Sequence, residues 1–173
     1  MMQKKVQIIS DGSLDLSQEL TKEKDIEVVP FYVSFDSETY QKEMVEVGVR
    51  EFYQEMVDHP TVFPKTSMPS VHDYYEVFEK HAKEQLPVIC ICITRKFSGS
   101  LQSATTAKDM ILEEYPDAQI TVIDSTVNTV LQGLYVLEAC RLRDMGLEYQ
   151  QIVDALLPIR ETGRIFFTIG SID

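Results

Sequence analysis

The sequence predicts an α/β fold with an open, mainly parallel sheet and helices on both faces. First, short apolar runs alternate with helical periods along the chain, which favours right-handed crossovers between layers of sheet and helix. Second, most of these runs are nearly continuous in apolar residues, as in parallel strands that helices cover on both faces. Third, hydroxyl-rich loops follow several runs, and such loops meet at one edge of a parallel sheet.

Five apolar runs are predicted as strands. They are residues 6–10, 26–35, 88–93, 120–124 and 164–169. The second run contains Pro30, which removes one backbone donor from the ladder of hydrogen bonds. That run is therefore predicted to lie at an edge of the sheet or to form a bulge.

Five helical periods lie between the strands. They cover residues 49–57, 71–78, 100–114, 130–145 and 149–157. The first has apolar residues at i, i+3, i+4, i+7 and i+8 from Val49, which is one helix stripe. Ser70 and Asp73 resemble a capping box that opens the second, and Gly146 closes the fourth. Pro158 is predicted to end the last helix.

Length and charge restrict the class of protein. A chain of 173 residues with 44% apolar and 25% charged residues suits one globular domain with a sizeable core. Its formal net charge of -12 repels nucleic-acid phosphates and anionic membrane surfaces, so a nucleic-acid-binding function is excluded. Any site for an anion must act at short range.

The sequence predicts a cytoplasmic protein without stable membrane insertion. The start, MMQKKVQIISD, has too short an apolar run for a signal peptide, and every apolar stretch is shorter than the ~18 residues of a membrane span. Cys90, Cys92 and Cys140 are odd in number and lack paired spacings, which indicates reduced thiols. Cys90 and Cys92 are expected to share one face of a strand and to pack in the core.

Four polar loops are candidates for a ligand site. They are residues 10–13, 64–70, 94–100 and 124–128. At the carboxyl edge of a parallel sheet these loops would lie near helix N-termini, whose free N–H groups favour an anion. The glycine in FSGS (97–100) lets the backbone approach a ligand closely.

The same residue types also act as helix caps and turn residues, so each position has two interpretations. Capping is favoured over ligand contact for Ser10, Ser13, Ser17 and Ser70. For Asp124 and Ser125 the two interpretations stay equally open.

The sequence gives little support for catalysis. His59, His72 and His81 fall in or beside helices, away from the polar loops, and are interpreted as surface or packing residues. Neither GxxxxGK[ST] nor GxGxxG occurs in the sequence. Asp11 and Asp124 could hold Mg²⁺ at strand ends, although two carboxylates make an incomplete ligand set. A small metal-dependent phosphatase or phosphotransferase of flavodoxin-like build therefore remains the alternative function.

Four motifs together resemble the DegV family of bacterial fatty-acid-binding proteins. They are SDGSLDL (10–16), PKTSMPS (64–70), FSGSLQSA (97–104) and VIDST (122–126), and they occur in the family's order and spacing. The resemblance implies the N-terminal, α/β portion of that fold. It also implies a non-catalytic protein that binds a long-chain fatty acid and presents the carboxylate to the catalytic subunit of a fatty acid kinase, which forms the acyl phosphate.

The resemblance assigns the carboxylate-binding roles residue by residue. Thr66 of the T-S-x-P-S loop and Ser98 of the L-S-G motif match the family's two hydroxyls that hold the lipid carboxyl group. The surrounding positions are expected to support these loops: Asp11, Ser13, Ser67, Phe97, Gly99, Ser100, Asp124 and Ser125. No catalytic residue, metal site or cofactor is implied, and the fatty acid is the ligand.

The chain departs from the family pattern at several positions. Gly12 stands where the family has the serine of D-S-T, and Met68 replaces the glutamine of T-S-Q-P-S. Phe97 and Ser100 stand in place of the leucine and threonine of L-S-G-T. Ser100 keeps a hydroxyl, whereas the bulk of Phe97 is expected to reshape the mouth of the pocket.

Residues 1–173 are predicted to form a single lipid-binding α/β domain that is shorter than the family's chain. In the family a second domain with a G-G-R segment follows and places a basic residue and a histidine near the carboxylate. A third possibility is accordingly that half of the slot is missing and this chain alone binds nothing. An opened slot would expose a large apolar face.

Overall fold

The computed structural model describes residues 6–166 and confirms the predicted α/β class. In chain order the elements are β1 (Gln7–Asp11), a 3-10 turn (Gly12–Leu14), α1 (Gln18–Glu23), β2 (Ile26–Val29), β3 (Tyr32–Ser34), β4 (Gln41–Lys42), α2 (Val49–Asp58), β5 (Lys65–Ser67), α3 (Val71–Lys83), β6 (Val88–Cys92), α4 (Ser100–Glu114), β7 (Ile120–Asp124), α5 (Thr129–Asp144) and α6 (Tyr149–Ile159).

The central sheet has four strands in the order β2-β1-β6-β7. All neighbouring pairs are parallel, with Ile8 opposite both Ile26 and Ile89, and Ile91 opposite Ile123. The chain leaves β1 first toward β2 and later returns to β6 on the other side. The sheet therefore has a topological switch point between the carboxyl ends of β1 and β6, where a crevice for a ligand is expected.

Helices bury both faces of this sheet. On one face Ile8, Ile91 and Ile123 pack against apolar residues of α5 and α6. On the other face Ile9, Cys90 and Cys92 pack against α3 and α4. The two thiols share a face as predicted, with 3.8 Å between their sulfur atoms. The continuous apolar runs thus reflect burial on both sides.

A second, antiparallel sheet with the order β4-β3-β5 lies beside the first. The prediction of one continuous strand over 26–35 is wrong, because Pro30 and Phe31 separate this segment into β2 and β3. β2 is an edge strand of the parallel sheet, whereas β3 joins the small sheet. Pro30 therefore marks the exit from one sheet and the entry to the other.

Other differences from the prediction lie at element ends. Residues 164–166 are outside any strand, and the rest of the predicted strand 164–169 lies outside the described residues. Helix α6 continues through Pro158 to Ile159 instead of ending before the proline. Sequence patterns also missed α1 and the short strands β4 and β5. Between residues 6 and 166, no helix has the length and apolar character to cross a bilayer.

Gly133 on α5 offers a test of the packing between this helix and the 3-10 turn. A Cβ atom at Gly133 would lie 2.4 Å from the backbone oxygen of Leu14. Although Gly→Ala gains helix propensity, the contact is with backbone, so we expect Gly133→Ala to lower the free energy of unfolding by about 1–3 kcal/mol. Gly48→Ala is the control, because nothing lies within 4 Å of a Cβ there. Urea unfolding measures both, and a gain in stability for Gly133→Ala would contradict this packing.

Candidate functional site at the switch point

Asp11, the last residue of β1, lies fully buried at the switch point. Its Oδ2 accepts hydrogen bonds from the Ile93 backbone N–H at 2.9 Å and from the Ser100 hydroxyl at 2.7 Å. Its Oδ1 accepts a hydrogen bond from the side-chain amide of Gln132 at 2.8 Å. The carboxylate therefore joins β1 to the loop after β6 and to helices α4 and α5.

This network is internal and does not face a ligand. Burial raises the pKa of the Asp11 carboxyl, and the hydrogen bonds from Ile93, Ser100 and Gln132 oppose that rise. The Ser100 hydroxyl also forms a 2.6 Å hydrogen bond with the buried Tyr74 hydroxyl. Asp11 and Ser100 thus tie the carboxyl end of β1 to the first turn of α4.

Ser98 is better placed to meet a ligand. It is half-buried in the loop after β6, and among residues 6–166 its Oγ has one hydrogen bond, which it accepts from the Ser100 backbone N–H at 3.2 Å. The hydroxyl proton therefore remains available as a donor. The first turn of α4 begins directly after Ser98, and its free N–H groups add positive potential for an anion.

The loop that carries Thr66 meets the loop that carries Ser98. A Cβ atom at Gly99 would lie 2.6 Å from the Met68 sulfur, so the Met68 side chain packs directly on Gly99. The absence of a side chain at Gly99 makes this contact possible. Thr66 is two residues from Met68 and Ser98 is one residue from Gly99, so the contact brings the two predicted carboxylate-binding segments together.

Thr66 is exposed at the centre of β5, where it pairs with Val33 of β3. Ser67, its neighbour, is also exposed and pairs with Tyr32. The prediction of a stiff loop at 64–70 thus becomes a short strand followed by a capped helix start. A strand holds Thr66 more firmly than a loop, because its backbone is fixed by cross-strand hydrogen bonds.

Asp73 anchors this strand and the helix that follows. Its carboxylate accepts hydrogen bonds from the Ser70 backbone N–H at 2.8 Å and from the Tyr32 hydroxyl at 2.8 Å, and it pairs with Lys42 Nζ at 2.9 Å. Ser70 in turn accepts from the Asp73 backbone N–H, which confirms the predicted capping box. Burial pushes the pKa of Asp73 upward, but the bonds from Ser70, Lys42 and Tyr32 outweigh it and lower the pKa to about 2.

A groove of about 610 Å³ reaches Thr66 from the small sheet and α2. Its apolar lining includes Leu16, Val33, Val47 and Phe52. Ser98 is outside this lining, so the groove gives access to only one of the two hydroxyls.

The other predicted residues fall into supporting positions. Asp124 accepts a hydrogen bond from the Thr126 backbone N–H at 2.9 Å, and the Ser125 hydroxyl is buried and donates to the Val127 carbonyl at 3.0 Å. Both therefore act as turn residues between β7 and α5. The Ser13 backbone N–H bonds to Asp11. Phe97 is 67% exposed, so its ring stands out from the loop beside Ser98.

Of the capping interpretations, those of Ser17 and Ser70 are confirmed and that of Ser10 is wrong. Ser17 and Ser70 are the N-caps of α1 and α3, as predicted. Ser10 is a buried strand residue whose hydroxyl accepts from Gln132 at 3.1 Å, so its interpretation as a cap is wrong.

The carboxylates considered for Mg²⁺ do not assemble a site. Both oxygens of Asp11 already accept hydrogen bonds inside the protein. In the part of the chain from 6 to 166, no group of three or more His, Cys, Asp or Glu side chains is placed to hold a metal ion. The described residues thus lack the ligand set that a metal-dependent phosphatase requires.

Sequence reasoning missed Gln132 and the full role of Asp73. Gln132 lies 121 residues from Asp11 along the chain, so only the fold reveals their contact. A usable signal was its position on the face of α5 that otherwise carries buried apolar residues such as Val136 and Ala139. Asp73 was recognised as a capping residue, but its bonds to Tyr32 and Lys42 depend on the small sheet.

An open parallel sheet with polar loops and helix N-termini at its switch point defines the chain as a doubly wound α/β protein with a switch-point crevice. The family model described as "Uncharacterised protein, DegV family" matches residues 5–173. The chain therefore belongs to the DegV family, as its motifs indicated.

Individual relatives agree with this assignment. A DegV domain-containing protein of Clostridium acetobutylicum is 33% identical over 153 residues, which are 88% of this chain and 53% of that protein. The crystal structure of a stearic acid-binding protein of Eubacterium ventriosum is 46% identical with a TM-score of 0.84, over 87% of this chain and 52% of that one. A fatty-acid-binding DegV family protein of Thermus thermophilus is 29% identical with a TM-score of 0.75, over 91% of this chain and 54% of that one. The chain spans about half the length of the curated relatives it matches.

The Asp11 network predicts a tolerant and an intolerant substitution. Asp11→Asn keeps an acceptor for Ile93 and Ser100, and its new amide donor faces Gln132, whose buried Oε1 lacks a hydrogen-bond partner among residues 6–166. Asp11→Ala leaves several buried donors unpaired and should lower the free energy of unfolding by about 3 kcal/mol. Because the pKa of Asp11 is raised on folding, its contribution is complete below the unfolded pKa and is lost as pH rises. The stability of the wild type relative to Asp11→Asn, measured by urea unfolding, should therefore rise as pH falls from neutral toward the unfolded pKa of about 3.9.

Asp73 should show the opposite dependence on pH. Its pKa is lowered to about 2, so its contribution is present above the unfolded value of about 3.9 and is lost as pH falls toward 2. We expect Asp73→Ala to destabilise the protein by about 2–3 kcal/mol at pH 7 and by clearly less at pH 3. Asp117→Ala, at an exposed carboxylate, is the control. If Asp73→Ala lowers the free energy of unfolding by the same amount at both pH values, Asp73 does not stabilise the protein through its ionised form.

Proposed function

We propose that this chain binds a long-chain fatty acid, holds its carboxylate between Thr66 and Ser98, and presents it to a partner kinase for formation of an acyl phosphate. The observation that carries the proposal is the meeting of the two hydroxyl-bearing segments through the Met68–Gly99 contact beside the switch point. Relatives whose structures cover most of this chain bind fatty acids, including stearic acid in the Eubacterium ventriosum protein.

Neutral hydroxyl donors beside the N-terminus of α4 suit a carboxylate. The Ser98 hydroxyl has its proton free to donate, while its oxygen is oriented by the Ser100 N–H. Thr66 is exposed on β5 and is fixed by the pairing with β3. Each hydroxyl bond to a charged carboxylate adds about 1.5–3 kcal/mol, which is enough to orient the ligand's end.

Apolar burial would supply most of the affinity. About fifteen methylenes at roughly 0.8 kcal/mol each give about 12 kcal/mol as an upper limit before ordering costs. Exposed apolar side chains are available at the carboxyl edge of the sheet: Met68 is 44%, Phe97 67%, Val130 53% and Leu134 56% exposed. We infer that the acyl chain runs over these side chains.

A further domain would cover the other side of the acyl chain. The relatives are about twice as long as the matched region, and the resemblance places a second domain after this one. The exposed apolar residues of the edge are then the contact surface for that domain. The basic residue and the histidine that the family has near the carboxylate would also come from there.

The proposed role is that of a carrier and not of a catalyst. A carboxylate oxygen of the fatty acid attacks the γ-phosphorus of ATP, a new O–P bond forms, and the bond from that phosphorus to the β–γ bridging oxygen breaks to release ADP. ATP and Mg²⁺ would be bound by the partner. The carrier contributes position, since it keeps the carboxylate at one point.

Substitution of the two hydroxyls tests the proposal. Thr66→Val and Ser98→Ala should each lower the rate of acyl-phosphate formation by about tenfold or more, while mass spectrometry of gently extracted protein still finds most of the fatty acid. The reason is that the hydroxyls orient the carboxylate and apolar contacts retain the chain. Thr61→Val, at another exposed threonine, is the matched control.

Both this chain and a longer version that carries a second domain should be extracted. Copurifying fatty acid in the wild type supports the carrier, whereas bound metal with phosphatase turnover supports the alternative enzyme. Complete and equal loss of lipid in both variants would contradict the division between orientation and retention. Lipid in the longer version alone would show that the first domain needs the second to retain the ligand.

A further inference from the structure

Helix α2 has an apolar face that the rest of residues 6–166 leaves uncovered. Every residue of the helix is exposed or half-buried, and on its apolar stripe Val49 is 53%, Tyr53 62%, Met56 37% and Val57 71% exposed. A surface helix with this spacing normally turns such a stripe into the core. Here the stripe lies outward along α2 (Val49–Asp58), at whose start the Gly48 backbone N–H donates to the Glu51 carboxylate at 3.5 Å.

The polar side of the same helix is acidic. It carries Glu51, Glu55 and Asp58 against the single cation Arg50. With a net charge of -12 on the whole chain, this surface disfavours an anionic membrane, and interfacial helices that bind membranes are rich in Lys and Arg instead. The chemistry complementary to this surface is an apolar patch with Lys or Arg at its rim.

The exposed face also lies beside the proposed reaction point. Val49, Phe52 and Tyr53 of α2 line the groove of about 610 Å³ that Thr66 also lines. The groove thus connects the face of α2 with the hydroxyl at which the carboxylate is held. A protein seated on α2 would have its reactive groups next to that end of the ligand.

We propose that the exposed face of α2 is the docking surface for the phosphoryl-transferring subunit, which contacts it through an apolar patch rimmed by basic residues. This inference rests on the proposed function. Tyr53 has the properties of a central anchor, because a large aromatic side chain supplies much contact area at low entropic cost. The carboxylates of α2 steer the partner and set its orientation.

Kinetics with the purified kinase subunit and the full-length, lipid-loaded carrier test this docking surface. Val57→Glu places a charge on the apolar face away from the groove lining, at a side chain that is 71% exposed. We expect the KM for the carrier to rise by about tenfold or more, with kcat at saturation and the bound fatty acid unchanged. Met110→Glu on α4, at a side chain that is 44% exposed, is the matched control and should leave KM unchanged.

A second variant tests the charge complementarity. Asp58→Lys reverses a charge at the end of α2 and should raise the KM for the carrier at low salt. The KM of the wild type should rise with ionic strength, and that of Asp58→Lys should depend on it less steeply. A wild-type KM that is independent of salt would contradict the proposal that basic residues surround the partner's apolar patch.

The outcomes separate this docking surface from the function on which it rests. Unchanged KM in Val57→Glu, with normal phosphorylation of the bound lipid, overturns the docking surface and leaves the carrier function intact. Lipid that copurifies but is never phosphorylated overturns the kinase partnership and the docking surface with it, and absence of lipid overturns the carrier.

Three further results would assign the face to another occupant. Loss of bound lipid in Val57→Glu, by mass spectrometry, assigns the face to the protein's own fold, and loss of a dimer, by sedimentation, assigns it to a second copy. Cosedimentation with vesicles of phosphatidylcholine and phosphatidylglycerol that Val57→Glu abolishes assigns it to a membrane.

Discussion

The architecture of the crevice depends on one buried carboxylate. Asp11 accepts hydrogen bonds from the backbone after β6 and from the first turns of α4 and α5. A buried charge is tolerated only where donors surround it, and here the donors come from three separate elements. Each element is therefore held at a fixed distance from the end of β1. The loop with Ser98 owes its position to this arrangement, because Ser100 ties the first turn of α4 to Asp11.

A second carboxylate, Asp73, does the same for the small sheet, but in a different electrostatic environment. Its partners include the cation Lys42, and together with the bonds from Ser70 and Tyr32 this ion pair outweighs burial, so the ionised form is favoured there. Within residues 6–166 the hydrogen-bond donors to the Asp11 side chain, Ile93, Ser100 and Gln132, are all neutral, and burial acts against its charge. The two sides of the crevice are consequently anchored by carboxylates that respond to pH in opposite directions. The two sides contact each other where the Met68 side chain packs on Gly99.

The sequence was informative where local rules decide the structure. Continuous apolar runs identified the parallel strands, and the Ser70–Asp73 spacing identified the start of α3, because strand burial and helix capping leave local patterns. It failed where distant parts of the chain decide. The strands β4 and β5 have only two and three residues and exist through pairing with β3. Gln132 and Asp11 are 121 residues apart. The exposure of the α2 stripe depends on which elements pack against this helix, and a local pattern does not reveal that. Thr66 and Ser98 came from a resemblance between motifs, because an exposed hydroxyl has no pattern of its own.

The choice of hydroxyls at the proposed carboxylate position agrees with the acidic character of the chain. A net charge of -12 opposes the approach of an anion at long range, so a fatty acid would be retained by its apolar chain and not by attraction of its charge. The hydroxyls of Thr66 and Ser98, being neutral donors, orient the carboxylate without themselves neutralising its charge. A carboxylate that keeps its charge density remains a competent nucleophile toward the γ-phosphorus of ATP. The same acidic field attracts a basic protein surface, so one charge distribution can repel free anions and favour the basic partner that we propose.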